Sequence, residues 1–153
     1  MAITQALANS FKKELLEADH DFTQTTGDKF KIALYTSSAT LNSATTSYTT
    51  GNEVGASGQY TAGGGALVNN GTSIASGVAF VDFADRSFTG VTLTARGALI
   101  YNTSATVTDA AVAALDFGAD KTATSGTFTI QFPAFTTAAA ILRNAAEVVN
   151  DGN

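Results

Sequence analysis

Between Ala2 and about Ala18 the apolar side chains Ile3, Leu7, Phe11 and Leu15 recur at every fourth position, with Ala6, Ala8, Leu16 and Ala18 flanking them. Gln5, Asn9, Lys12, Lys13 and Glu17 fall elsewhere on the wheel, and no Gly or Pro interrupts the run. That spacing predicts an amphipathic helix, placed over residues 1–20. Its end carries Glu14, Glu17, Asp19 and Asp21, where the helix dipole disfavours anions, so this end is expected to fray or to be covered by a partner. After Asp28 the pattern changes to short runs of β-branched and aromatic residues punctuated by Gly, Ser, Thr, Asn and Asp. These predict strands near Lys29 to Thr36, Gln59 to Val68, Gly77 to Phe83, Val91 to Tyr101, Ala111 to Phe117, Gly126 to Phe132 and Ala138 to Arg143.

Several of these runs alternate with a period of two. Phe30, Ile32 and Leu34 oppose Lys29, Lys31 and Ala33, while Phe128, Ile130 and Phe132 oppose Thr127, Thr129 and Gln131. One buried and one wetted face per strand is the signature of antiparallel sheets. The fold expected is all-β: an antiparallel β-sandwich, jelly-roll-like, over 29–143, behind one N-terminal amphipathic α-helix. A tail, 144–153, completes what reads as a single domain. Loops 36–58 and 69–77 are rich in Ser, Thr, Asn and Gly and are expected to be flexible unless a neighbour orders them. Tyr35 to Leu41 echoes Tyr101 to Val107, and Val81 to Arg86 echoes Leu115 to Lys121, as a pseudo-symmetric sandwich would.

Composition narrows the function. Ala, Gly, Thr and Ser fill 77 of the 153 positions, and only 14% of residues are charged, against about 25% in an average soluble domain. Few ions lose their hydration when such a surface is covered, which favours a protein in contact with copies of itself or a partner. The net charge is −5, with no basic cluster beyond Lys12-Lys13 and Lys29/Lys31, so nucleic acid is not expected as a partner. The longest apolar runs are too short to cross a bilayer, and the N-terminus lacks the pattern of a signal peptide.

Candidate chemistry is sparse. There is no Cys and no Trp, and His20 is the single histidine, so no metal site, cofactor or catalytic residue is expected. His20, between Asp19 and Asp21, reads as a solvated helix end. Asp82, Asp85, Asp116 and Asp120 read first as turn caps, with a calcium site or paired-carboxylate catalysis as the alternatives. Gly63-Gly64-Gly65 has no following helix or lysine to make a phosphate loop and reads as a bulge or sharp bend. Arg96 is a charge on an otherwise uncharged strand, to be satisfied by a partner's carboxylate or by Asp82 across the sheet. The residues expected to make protein contacts are Ile3, Leu7, Phe11, Leu15 and Arg96.

The phrases Met1-Ala2-Ile3-Thr4-Gln5-Ala6-Leu7, Phe30-Lys31-Ile32-Ala33-Leu34-Tyr35-Thr36-Ser37, Gly58-Gln59-Tyr60-Thr61-Ala62-Gly63-Gly64, Val78-Ala79-Phe80-Val81-Asp82-Phe83 and Ala95-Arg96-Gly97-Ala98-Leu99-Ile100-Tyr101 together carry a resemblance. From residue 1 to about Arg143 the chain resembles a family of small virion structural proteins of tailed bacteriophages. The resemblance implies a non-enzymatic capsid component, most plausibly a decoration or cement protein on the outer head, made in the host cytoplasm. Its expected partners are the major capsid protein and itself, as a homo-oligomer of which a trimer is one form. Two alternatives stay open: a tail or fibre component, or a glycan-binding virion module reading host glycans through loops 36–58 and 102–110. A carboxylate-dependent glycan hydrolase is the enzymatic alternative.

Overall fold

The computed structural model describes residues 2–136 and 138–144. In chain order these form β1 (Ala6–Leu7), α1 (Asn9–Leu16), β2 (Phe30–Tyr35), β3 (Gly65–Ala66), β4 (Asn69–Ala75), β5 (Val78–Phe83), β6 (Arg86–Asn102), β7 (Ala110–Ile130) and β8 (Leu142–Asn144). The chain is mostly β, as expected, and the strands pair antiparallel. One sheet has five strands in the order β1-β7-β6-β2-β3, and the other has three in the order β4-β5-β8. Phe30 of the first meets Phe83 of the second with ring centres 5.6 Å apart, and both belong to a cluster of buried apolar side chains running from Ile3 to Leu142. No described helix is long and apolar enough to cross a membrane. Apart from Asn144, which closes β8, the expected tail 144–153 lies outside the described residues.

The helix expected over 1–20 is corrected to eight residues, Asn9–Leu16. Ahead of it the chain is extended: the Thr4 amide donates to the Leu41 carbonyl at 2.8 Å, and Ala6 and Leu7 pair with Ala114 and Ala113. Positions four apart share a face on a strand as well as on a helix, so Ile3 and Leu7 satisfy the same spacing in either form. The unpaired edge of β7 then decides for the strand. The helix end does not fray. Ala18 takes φ 60°, the Asp19 amide donates to the Glu14 carbonyl at 2.9 Å and the Ala18 amide to that of Leu15 at 3.2 Å, which closes the last turn as a Schellman motif. Asp19 in turn accepts the Thr106 amide at 2.8 Å, a bond that holds its carboxyl below the usual range.

Strand boundaries also move: the run Val91 to Tyr101 lengthens to Arg86–Asn102, and Ala138 to Arg143 gives way to Leu142–Asn144. The run Gln59 to Val68 pairs only at Gly65–Ala66, because Gly63 and Gly64 turn at φ 89° and 77°. A Cβ on Gly64 would lie 1.8 Å from the Ile32 carbonyl oxygen, so the bend read from the glycine run is a requirement of close backbone approach. The expected loop 69–77 is instead the strand β4 and a two-residue turn. Ser76 and Gly77, both at positive φ, supply the turn that suits the twist of a hairpin. Finally, the expected strands Ala111 to Phe117 and Gly126 to Phe132 are one strand, β7, since the intervening punctuation is bulge rather than turn. Phe117 to Asp120 oppose Arg96 alone, and Thr124 and Ser125 oppose Thr92. Each bulge bends β7 and sharpens its twist.

Asp82 on β5 is fully buried. It accepts the Phe83 amide at 2.9 Å through one carboxylate oxygen, while the other finds no partner among the described residues. Burial pushes its carboxyl above the usual range, opposed by the Phe83 and Ile141 backbone and reinforced by the charge of Asp85. The folded state therefore holds this proton more tightly than the unfolded chain, and stability falls as pH rises above the ordinary carboxylate value of about 4. Asp82→Asn is expected to raise Tm near neutral pH, with the gain vanishing toward about pH 3. Calorimetry across that range checks it, and a pH-independent effect contradicts it.

Candidate functional site

Leu7, Phe11 and Leu15 come together in space, although the first lies on β1 and the others on α1. They line a groove of about 170 Å³ between the helix and the three-stranded sheet, closed by Phe22, Ala79, Val81 and Leu142. Ile3 is not part of it; its side chain packs at Gly97, where an added Cβ would lie 2.8 Å from Ile3 Cδ1. On elements that line the groove or pair with them, two apolar side chains stand in solvent, Leu16 of α1 at 91% and Ile74 of β4 at 71% exposure. Ile74 sits opposite Ala79, so the hairpin of β4 and β5 extends the apolar face beyond the groove. Covering a side chain of this kind is worth about 1.5–3 kcal/mol.

Arg96 is already engaged within the chain. Its Nε donates to Asp116 at 3.2 Å across β6 and β7, with both side chains half-buried. The Gly118 amide and then Arg96 hold the Asp116 carboxyl below the usual range. Asp82, the partner expected across the sheet, lies in the other sheet. Asp82, Asp85, Asp116 and Asp120 do not converge, and among the described residues no three acidic, His or Cys side chains gather as a metal site.

His20 is not a solvated helix end. It is buried, edge-on to Phe11 and stacked near Phe22. Its Nε2 lies 2.7 Å from Glu14 Oε2 and its Nδ1 lies 2.9 Å from Asn102 Nδ2. The same Asn102 amide nitrogen donates to Asp28 at 2.7 Å, and Asn102 Oδ1 accepts the backbone amides of Ser104 and Ala105. Those two amides fix which way the Asn102 side chain points, so it donates to His20 Nδ1 and leaves Nε2–H for the Glu14 carboxylate. The network ties the helix to the turn between β6 and β7.

A second polar cluster went unforeseen. Glu53 Oε1 accepts the Tyr60 hydroxyl at 2.8 Å and the Gly63 amide at 2.7 Å, and Oε2 accepts the Tyr48 hydroxyl. Tyr60 in turn accepts the Leu34 amide at 2.7 Å, Tyr101 donates to the Gly63 carbonyl at 2.6 Å, and Tyr35 donates to the Thr49 carbonyl at 2.6 Å. All four tyrosines of the chain thus fasten the long segment after β2 onto β2 and β6. Burial pushes the Tyr101 hydroxyl up to about 12 and raises Tyr35, Tyr48 and Tyr60 as well, so all four stay protonated donors at neutral pH. The signal was present in the sequence: Glu53 is the only carboxylate between Asp28 and Asp82.

No family model, curated protein or solved structure matches this chain. The segment's order therefore has to be tested on the chain itself. Glu53→Gln replaces an acceptor of three hydrogen bonds by a group that accepts at one end only. With about 1.5–3 kcal/mol per bond to a charged group, a loss of about 3 kcal/mol is expected, or about 6–12 °C in Tm at this chain length. A shift below about 2 °C shows that the carboxylate does not hold the segment.

Proposed function

We propose that the chain is a structural protein of a tailed-bacteriophage virion, a non-enzymatic decoration or cement subunit on the outer head that associates with itself and with the major capsid protein. The observation that carries this is apolar surface left open: a groove between α1 and the three-stranded sheet, with Leu16 of α1 and Ile74 of β4 exposed to solvent. An apolar surface of this kind favours coverage by another protein surface, and a chain with 14% charged residues loses little hydration when covered. The sequence resemblance to virion structural proteins supplies the setting. The two antiparallel sheets are read as layers of a jelly-roll-like sandwich, a rigid body suited to tiling a shell. A cement protein gains its hold from many repeated contacts rather than from one tight site.

Light scattering on the purified chain at high concentration is expected to give an oligomeric mass, and Leu16→Asp combined with Ile74→Asp is expected to shift it to the monomer. Both side chains are exposed in the subunit, so the substitutions should spare its fold. A wild-type chain that stays strictly monomeric contradicts self-association. Densitometry of purified particles is expected to show a copy number comparable to the major capsid protein; tens of copies or fewer overturns head decoration in favour of a tail or fibre component.

A further inference from the structure

The stretch of β7 that carries the bulges at 117–120 and 124–125 lines a hollow of about 390 Å³, formed by residues between Phe117 and Gln131. This volume lies within the range of small-ligand sites, about 300–1,000 Å³. In its lining Phe117, half-buried, packs against Phe128 with ring centres 6.0 Å apart. Thr122, Thr127, Thr129, Gln131 and Lys121 are among the other lining residues. Two of the threonine hydroxyls are oriented by cross-strand partners, Thr122 by Thr94 and Thr129 by Ser87, each at 2.8 Å. Lys121 is the one charged residue in the lining, and it makes no ion pair among the described residues.

We propose that this hollow binds a saccharide carrying one carboxylate, of the uronic-acid class. Four features select that chemistry. A partly exposed aromatic ring offers its negative face to the polarised C–H groups of a pyranose. The two oriented hydroxyls of Thr122 and Thr129, with Thr127 and Gln131, offer neutral hydrogen-bonding groups to ring hydroxyls, and the lining is uncharged except for a single cation that pairs with a single carboxylate. Beyond Asp116 the outer edge of β7 has no partner strand among the described residues, so no neighbouring strand covers the site. The bulges at 117–120 and 124–125 interrupt that edge and prevent a regular ladder with an extended peptide, which leaves discrete groups suited to a compact ligand. The hollow is separate from the apolar groove, so this proposal does not depend on the assembly reading.

Titration of the isotope-labelled full chain with D-galacturonate, D-galactose and acetate, followed by amide chemical shifts, tests it. Saturable shifts at 117–131 with both sugars are expected, with dissociation constants near the millimolar range and galacturonate the tighter. Lys121→Met, at an exposed position, is expected to weaken galacturonate about tenfold, the value of one charge-assisted hydrogen bond, while leaving galactose unchanged. Phe117→Ala is expected to weaken both. Absence of saturable shifts up to about 50 mM sugar overturns the proposal. So does a response to acetate equal to that of galacturonate, which marks a bare anion contact at Lys121. Shifts confined to another surface overturn it as well.

Discussion

The carboxylate of Glu53 is the interaction on which the ordered part of this chain most depends. Residues 36–64 contain no strand; isolated bridges at Leu41, Ser47, Glu53 and Tyr60 give them scattered backbone pairing in place of a continuous ladder. Glu53 adds a side-chain hub to those bridges. It collects two tyrosine hydroxyls and the Gly63 amide, and those tyrosines are themselves anchored on β2 and its neighbours. A charged acceptor in a partly buried setting forms stronger bonds than a neutral one, and its own desolvation is offset because the donors converge on it. Tyr35 and Tyr101, which end β2 and β6 in the sequence echo, each reach a carbonyl in this segment. The hydroxyl-rich stretch is thereby part of the fold and not an appendage.

The His20 network does the same for the N-terminal region. Glu14, His20, Asn102 and Asp28 form a continuous chain of bonds from the helix to the turn after β6. With both ring nitrogens occupied and the side chain buried, the single histidine acts as a fastener between elements. The two networks reach β6 at adjacent residues, Tyr101 and Asn102, and together they tie the segment after β2 and the helix to the same strand.

How much of this was legible in the sequence depended on whether a signal was periodic or convergent. The alternation of Phe30, Ile32 and Leu34 placed β2 within a residue of its observed bounds, and Val78–Phe83 was equally plain. Ile3 and Leu7 misled because a spacing of four fits a helix face and a strand face alike; only the free edge of β7 separates them. Asp116-Phe117-Gly118 looked like a turn because Asp and Gly serve bulges as well as turns, and the difference lies in the partner strand. Glu53 and His20 were passed over for another reason. Their roles come from groups 5 to 82 positions away in sequence, and no local pattern announces such convergence. Leu7, Phe11 and Leu15, grouped by their spacing, line one groove, though through a strand and a helix rather than along one helix.

Hydrogen exchange on the full chain, compared between dilute subunit and the assembled form, tests the proposed account most directly. Added protection is predicted at α1 and at the hairpin of β4 and β5, where the apolar groove and Ile74 lie, with the Glu53-bound segment equally protected in both forms. Assembly that leaves α1 and this hairpin unchanged, while protecting the segment after β2, would contradict it by showing that the loops are ordered by a neighbour and that contact is made elsewhere.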